Sequence, residues 1–213
     1  MNKKSIAELL LNIRAVTINV EAPYHYRSGI ISPIYCDNRL IISFPEERAA
    51  IVDGMVGIIN DQDLKPDVIA GTATAAIPFA SWVAERLNLP MIYVRSGQKG
   101  YGKERQIEGV LPEGARVIFT EDLITTGGGV LSAVSDVRQG GGEVVGVAAV
   151  FEYGLPASEE AFGKESVARW CLSDFTAILD VMSDRGDLTD EEKVIALGWK
   201  SDPKGWGEKM GFE

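Results

Sequence analysis

The sequence predicts an α/β fold, in which helices flank a Rossmann-like parallel sheet. The runs Val117–Phe119 and Val144–Val150 are almost uniformly apolar, which is typical of strands that are covered on both faces. Such runs alternate along the chain with segments of helical periodicity, and this alternation favours parallel strands. The length of 213 residues fits one domain of this class with small additions.

The N-terminal part is predicted to hold a helix followed by extended structure. Apolar side chains recur at helical spacing after Ser5, which is a possible N-cap. These side chains are Ile6, Leu9, Leu10 and Ile13. A short strand is expected at Thr17–Val20, and residues 24–39 are expected to form an extended hairpin that turns at Ser28–Gly29.

The rest of the chain is predicted to alternate between strands and helices. The expected strands are 67–71, 91–94, 117–119, 144–150 and 167–172. The expected helices are 45–60, 79–87, 126–139, 157–162, 174–182 and 190–197. Ser173 and Thr189 are the expected caps of the last two helices, and Glu192 completes a capping box with Thr189. Trp199 and Trp206 are expected either to dock the C-terminal tail or to leave it frayed.

Composition narrows the class of protein. The hydrophobic content of 46% is ample for a packed core, and the net charge of −10 argues against non-specific nucleic-acid binding. Two cysteines, Cys36 and Cys171, give neither a disulfide framework nor zinc spacing, so a reducing cytoplasm is expected. Neither a signal peptide nor a membrane-spanning segment is expected.

The most informative stretch runs from Arg116 to Val130 and contains the sequence T-E-D-L-I-T-T-G-G-G. Thr125 and Thr126 supply hydroxyl donors, and Gly127–Gly129 let the backbone approach a ligand before the next helix begins. A helix N-terminus in that place favours phosphate. Glu121 and Asp122 repel phosphate but suit hydroxyls or a metal, so a ribose phosphate satisfies both halves. An ordinary strand-turn-helix corner with a solvated acidic pair is the alternative interpretation.

Three further stretches are candidates for ligand contacts. Thr72 begins a turn of small residues after a predicted strand, where backbone can approach a ligand. Residues 95–109 form a polar loop with four basic residues and four glycines, which indicates a lid or a solvated surface loop. In the hairpin, Tyr35 can stack on a flat ligand and Arg27 can pair with an anion, although an ordinary edge hairpin is also possible.

These motifs together resemble those of a known family. The stretch T-E-D-L-I-T-T-G-G-G resembles the phosphoribosyl pyrophosphate motif of the phosphoribosyltransferases. The pattern S-G-x-x-S-P-I-Y-x-D-x-R from Ser28 resembles the N-terminal hood of the orotate phosphoribosyltransferases. The pattern V-R-S-x-x-K-G-x-G-x-x-x-Q-I-E-G from Val94 resembles their catalytic loop. The resemblance implies a type I phosphoribosyltransferase fold with a hood at about 1–44 plus C-terminal contributions, a core at about 45–155 and an extension at 156–213.

The resemblance also implies an activity, which is transfer of the phosphoribosyl group from phosphoribosyl pyrophosphate to orotate in pyrimidine biosynthesis, with Mg2+ as cofactor. Arg95, Lys99 and Asp122 are then the catalytic residues. The implied substrate contacts are Arg95, Lys99, Tyr101, Lys103, Glu121, Asp122, Leu123, Ile124, Thr125, Thr126, Gly127, Gly128, Gly129, Thr72, Arg27 and Tyr35. The resemblance gives Mg2+ no direct protein ligand, because the substrate holds the metal, with Asp122 reaching it through water. It also implies a homodimer in which the loop reaches the neighbouring subunit's site, with neither nucleic acid nor membrane as a partner.

The chain departs from the family pattern at three places. Ala75 stands where other orotate enzymes have lysine, and Tyr101 stands where many have histidine. The segment after Val150 also lacks the arginine with which many members bind orotate.

Two other functions are compatible with parts of the sequence. A regulator that senses phosphoribosyl pyrophosphate would share the fold, but it should lack the basic loop and carry a nucleic-acid-binding face. A purine-type transferase would share the central motif but would build its hood differently.

Overall fold

The computed structural model describes residues 2–95 and 106–212. In chain order, the N-terminal elements are α1 (Lys3–Asn12), β1 (Val16–Ile18), β2 (Tyr24–His25), β3 (Ile31–Ser32), β4 (Ile34–Cys36), a 3-10 helix (Asn38–Ser43) and α2 (Pro45–Asp61). The central elements are β5 (Val68–Thr72), α3 (Ile77–Leu87), β6 (Met91–Val94), β7 (Ile107–Glu108), β8 (Arg116–Ile124), α4 (Gly128–Gln139) and β9 (Glu143–Glu152). The C-terminal elements are α5 (Pro156–Glu165), β10 (Arg169–Asp174), α6 (Phe175–Arg185), α7 (Asp190–Ser201) and α8 (Trp206–Lys209).

The central sheet has the strand order β10-β9-β8-β5-β6-β7. Neighbouring strands run parallel except β6 and β7, which pair antiparallel. In the register of β5 and β8, Gly71 lies opposite Thr120. The carboxyl ends of both strands therefore meet at one edge of the sheet, where ligands of open α/β sheets bind.

Both faces of the sheet are covered, as the sequence predicts. Side chains alternate along each strand, so neighbours such as Ile118 and Phe119 enter different hydrophobic cores. The first core also includes side chains from α1, α2, α3, α6 and α7, and the second includes side chains from α4 and α5. The continuous apolar character of these strands follows from this double burial.

The N-terminal residues build two small antiparallel ladders beside the main sheet, one between β1 and β4 and one between β2 and β3. The predicted turn at Ser28–Gly29 is confirmed, because Gly29 adopts φ +84° and the amide of Tyr26 bonds to the carbonyl of Ile30 at 2.9 Å. We keep the name hood for residues 1–44.

Several element boundaries differ from the predictions. Asn2, not Ser5, caps α1 by accepting from the Ser5 amide at 2.9 Å, and Asp174, not Ser173, caps α6. Helix α4 begins at Gly128 rather than at residue 126. Strand β8 continues to Ile124 because it stays paired with β9, so the acidic pair lies inside the strand.

The C-terminal tail docks rather than frays. Trp199 and Trp206 are buried, and Trp199 Nε1 donates to the carbonyl of Ile31 at 3.1 Å. Trp206 Nε1 donates to the carbonyl of Ile195 at 2.9 Å. Trp199 therefore packs the tail against the hood, and Trp206 packs it against α7. The predicted capping box of Thr189 and Glu192 is also present. In the described parts of the chain, no helix combines the length and apolar character needed to cross a membrane.

Candidate active site

The site lies where β5 and β8 end side by side. Thr72 is the last residue of β5, and the strand register places it level with Glu121 of β8. Thr72 Oγ1 is buried and makes no hydrogen bond of normal geometry with a described residue, although its proximity to the Glu121 carboxyl lowers the pKa of that group. A ligand at the sheet edge could satisfy this hydroxyl, because a buried polar atom without a well-formed hydrogen bond is costly.

The acidic pair is largely shielded from water. Glu121 is 7% exposed and Asp122 is half-buried, and the Glu121 carboxylate accepts from the Asp122 amide at 3.1 Å. Burial, together with the charge of Asp122, raises the pKa of Glu121 well above its usual range. Burial also raises the pKa of Asp122, and the charge of Arg39 partly offsets that rise. Two such carboxylates attract hydroxyl donors or a cation, because either relieves their repulsion.

The oxygen donors of this pair fit Mg2+. That ion prefers carboxylate oxygens and keeps several of its waters, so it needs few protein ligands. The two adjoining carboxyl groups supply oxygen donors of the type that this ion prefers, and a bound cation would offset the burial that raises the pKa of each.

A glycine turn connects the acidic pair to a helix N-terminus. Gly127 adopts φ +82°, and a Cβ at this position would lie 2.5 Å from the Phe162 ring. Helix α4 starts at Gly128, so the first-turn amides have no acceptors within the helix. Thr125 and Thr126 are exposed beside these amides. The turn therefore has the N–H and O–H donors of a phosphate site.

The turn after β5 is held close to the neighbouring strand. The amide of Ala73 donates to the carbonyl of Val94, at the end of β6, at 2.8 Å. A Cβ on Gly71 would lie 2.9 Å from that of Ala80, so glycine lets α3 pack tightly under this turn. The peptide bond between Ala73 and Thr74 is cis.

Arg95 lies at the start of the predicted lid. Its amide donates to the carbonyl of Gln106 at 2.9 Å, and its guanidinium lies 3.3 Å from the Glu108 carboxylate. The side chain is about half exposed, so this ion pair contributes little to stability. The other predicted lid residues, Lys99, Tyr101 and Lys103, lie outside the described residues.

The hood contacts the acidic pair through the backbone of β8. Asn38 Nδ2 donates to the carbonyl of Asp122 at 2.6 Å. Tyr35 is 44% exposed, and its ring centroid lies 5.5 Å from that of Tyr24. Arg27 occupies the exposed turn between β2 and β3, where it makes no hydrogen bond or ion pair with any described residue. Tyr35 therefore remains a candidate for stacking, whereas no described contact directs Arg27 toward the site.

Comparison with known proteins agrees with this arrangement. Residues 45–170 match the phosphoribosyl transferase domain family. An orotate phosphoribosyltransferase from Coxiella burnetii is 47% identical over 201 residues, which are 94% of this chain and 96% of that protein. The chain belongs to the orotate phosphoribosyltransferase family.

Solved structures of the family have the same fold. The orotate phosphoribosyltransferase of Aeropyrum pernix superposes with a TM-score of 0.75 at 26% identity, covering 86% of this chain and 99% of that one. The Mycobacterium tuberculosis H37Rv enzyme, solved with 5-phospho-α-D-ribosyl 1-diphosphate (PRPP), gives a TM-score of 0.64 at 26% identity. That comparison covers 83% of this chain and 98% of the other. The type I phosphoribosyltransferase fold predicted from the sequence is therefore confirmed.

In this member of the orotate phosphoribosyltransferase family, Tyr153 directly follows β9, in the segment that lacks the expected arginine, and it pairs with Tyr26 of the hood. The hydroxyls of Tyr26 and Tyr153 lie 3.1 Å apart, and Tyr26 also donates to the carbonyl of Ile34 at 2.5 Å. Tyr153 packs edge-on against Trp199, with ring centroids 5.3 Å apart. Burial raises the pKa of Tyr153, so its hydroxyl stays neutral. The pair therefore connects the end of β9 to hood strand β4.

Sequence reasoning missed both this pair and the contact made by Asn38. Each joins residues far apart in the chain, so no local spacing predicts it. The sequence showed a tyrosine after a strand, Tyr153, and a polar residue inside the hood motif, Asn38. Neither position identifies the residue that it contacts.

Proposed function

We propose that the protein catalyses transfer of the 5-phosphoribosyl group from PRPP to N1 of orotate, giving orotidine 5′-monophosphate and pyrophosphate. The C1–O bond to pyrophosphate breaks, the new N1–C1 bond forms, and the N1 proton of orotate is released. The transition state has oxocarbenium character, as in glycoside hydrolysis. Side chains therefore act by positioning and by stabilising charge, without a covalent intermediate.

The observation that carries the proposal is the continuity of β8 with α4. Glu121 and Asp122 lie at the sheet edge, β8 ends two residues later at Ile124, and the donor-rich segment Thr125–Gly129 follows and leads into α4. A ribose 5-phosphate fits this order, with its hydroxyls on the carboxylates and its phosphate at the turn. The family membership and the relative solved with PRPP support the same donor.

The pyrophosphate would lie on the other side of the ribose. Thr72 offers its buried hydroxyl there, and Arg95 lies at the end of the adjacent strand β6. In this proposal Lys99 closes over the leaving group, with Tyr101 and Lys103 contributing from the same loop. Closure excludes water and so protects PRPP from hydrolysis.

Glu121 and Asp122 would orient the ribose hydroxyls, and Asp122 would hold Mg2+ through water. The ion would supply positive charge against the negative charge that develops on the departing pyrophosphate. Ala75 offers no cation at its position, so the basic residues of the lid carry more of the charge.

The working protein is proposed to be a homodimer in which the lid reaches the neighbouring subunit's site. The segment from Asn38 to Phe44 supports this, because it begins at the residue that contacts β8 and exposes three large apolar side chains. These are Leu40, Ile42 and Phe44, which are 40%, 37% and 37% exposed. Exposed apolar side chains beside a site are typical of a subunit interface. We further propose a cytoplasmic location, since Cys36 and Cys171 are both free.

An absorbance assay tests the activity directly. Purified protein is mixed with PRPP, Mg2+ and orotate, and parallel reactions contain uracil, adenine or hypoxanthine instead. Consumption of orotate alone, abolished by a chelator and restored by Mg2+, is the expected result. Binding of PRPP without turnover of any base would contradict the proposal and favour a PRPP-sensing regulator.

A further inference from the structure

Arg39 is a charged residue of the hood to which the proposed function assigns no substrate group. Its Nε donates to Asp37 Oδ1 at 2.6 Å, and its Nη2 donates to Asp37 Oδ2 at 2.8 Å. This fork fixes one edge of the guanidinium. The Arg39 side chain is 63% exposed, and the edge formed by Nη1 and Nη2 can still donate to a second carboxylate.

The backbone that carries Arg39 is fixed beside the acidic pair. Asn38, the preceding residue, is 1% exposed and donates to the carbonyl of Asp122 at 2.6 Å. Asp37 is held from the other side, because its amide donates to the carbonyl of Ala15 at 2.7 Å. Arg39 therefore starts from an anchored position at the end of β8.

Electrostatics agree with this placement. The hydrogen bond and the charge of Asp37 raise the pKa of Arg39, and the negative charge of Asp122 adds to that rise. Arg39 belongs to the hood segment that carries the exposed Tyr35 ring and that Asn38 joins to the acidic pair. A flat anion placed between the hood and β8 would meet an aromatic face and a guanidinium together.

Other described arginines near this edge are less suitable. Arg95 lies at the end of β6, where the proposed function places the pyrophosphate, and Arg27 lies in the turn between β2 and β3, where no described contact directs it toward the site. Orotate carries a carboxylate in the plane of its ring, and an arginine fork matches a planar carboxylate in two hydrogen bonds.

We propose that Arg39 binds the carboxylate of orotate and so selects orotate over neutral pyrimidines. The inference rests on the proposed function, since it names the group that holds the base of that reaction. Asp37 then acts as a positioning residue that presents the free edge of the guanidinium.

The test compares Arg39→Gln and Arg39→Lys with the unaltered full-length protein. We expect Arg39→Gln to raise the KM for orotate roughly 10- to 100-fold, which is the range for losing a charge-assisted hydrogen bond. Arg39→Lys should fall between the two, because an ammonium group cannot form the fork. The KM for PRPP should stay within about twofold in both variants.

Inhibition by uracil separates recognition from a structural role. Uracil has the pyrimidine ring without the carboxylate, so its inhibition constant should be the same in the unaltered protein and in Arg39→Gln. Arg185→Gln is the matched control, because Arg185 is an exposed arginine of α6 whose one side-chain hydrogen bond to a described residue is to Asn12. Its KM for orotate should be unchanged.

Three results would overturn the inference. The first is an unchanged KM for orotate in Arg39→Gln. The second is an equal rise, in Arg39→Gln, of the KM for PRPP, the KM for orotate and the inhibition constant of uracil. That result would mean that Arg39 acts through Asp122 or through the stability of the hood. The third is a selective rise of the KM for orotate in Arg27→Gln that Arg39→Gln does not show. Failure of the proposed function itself is distinguishable, since the unaltered protein would then form no orotidine 5′-monophosphate.

Discussion

Asn38 Nδ2 donates to the backbone carbonyl of Asp122 at 2.6 Å and thereby joins the hood to the strand that carries the acidic pair. The two residues are 84 positions apart in the chain. Asn38 Oδ1 is also buried and finds no partner among the described residues. The Asn38 side chain is thus buried while making one long-range hydrogen bond. This indicates that the contact fixes the position of the hood relative to β8.

Replacing Asn38 with alanine should loosen this connection. The buried carbonyl of Asp122 would lose its donor, which costs about 1–3 kcal/mol of unfolding free energy. We expect KM values for both substrates to rise, because the hood and the acidic pair would no longer be held together. Urea unfolding and steady-state kinetics measure the two effects. Asn60→Ala, at an exposed position in α2, is the control and should change neither. Normal kinetics in Asn38→Ala would mean that the contact serves stability alone.

The raised pKa of Glu121 predicts a pH dependence of stability. The folded state holds this proton more tightly than the unfolded state does, because burial and the Asp122 charge disfavour the carboxylate. Stability should therefore fall as the pH rises above about 4.3, the pKa of an unfolded glutamate, and should level off above the folded pKa.

Glu121→Gln removes the titrating group, so its unfolding free energy should decline less with pH. The variant should be more stable than the unaltered protein near pH 8 while binding PRPP more weakly, since the charged oxygen that accepts from ribose is lost. Denaturant unfolding without ligand, from about pH 5 to pH 8, measures the slope. Glu208→Gln, at an exposed position, should leave the slope unchanged. An unchanged slope in Glu121→Gln would show that Glu121 does not cause the pH dependence.

The sequence predicted the central sheet and the β8–α4 motif because their determinants are local. The apolar runs identify strands by themselves, and the acidic pair, hydroxyls and glycines are contiguous. Contacts such as Tyr26 with Tyr153 are not predictable in this way, since they arise only when distant segments pack. Cap positions such as Ser173 failed for another reason, because the adjacent Asp174 is an equally good cap and propensity does not choose between neighbours.

Gly127 should tolerate no side chain. Alanine there would have to adopt φ +82°, and its Cβ would overlap the Phe162 ring. The combined strain and overpacking should cost about 2–4 kcal/mol of unfolding free energy and shift the first-turn amides of α4. Thermal unfolding and PRPP binding by calorimetry measure both effects. Gly163→Ala is the matched control, because Gly163 lies in α5 with open space around it. Equal behaviour of the two variants would rule out the phosphate-turn geometry inferred here.

Lys99→Ala should lower turnover far more than it weakens substrate binding, because in the proposed mechanism the lid would contact the pyrophosphate mainly as it departs. Lys204→Ala, which removes an exposed lysine of the tail, is the control and should keep full turnover. Unchanged turnover in Lys99→Ala would contradict the lid mechanism.

Mixing two inactive variants tests whether the lid crosses between subunits. Lys99→Ala and Asp122→Asn are each expected to be nearly inactive, but a mixed dimer has one site with an intact lid and an intact acidic pair if the lid reaches its neighbour. Random mixing should restore about a quarter of the unaltered activity, since half the dimers are mixed and each has one competent site. If each lid instead covers its own site, every site keeps one defect and no activity returns.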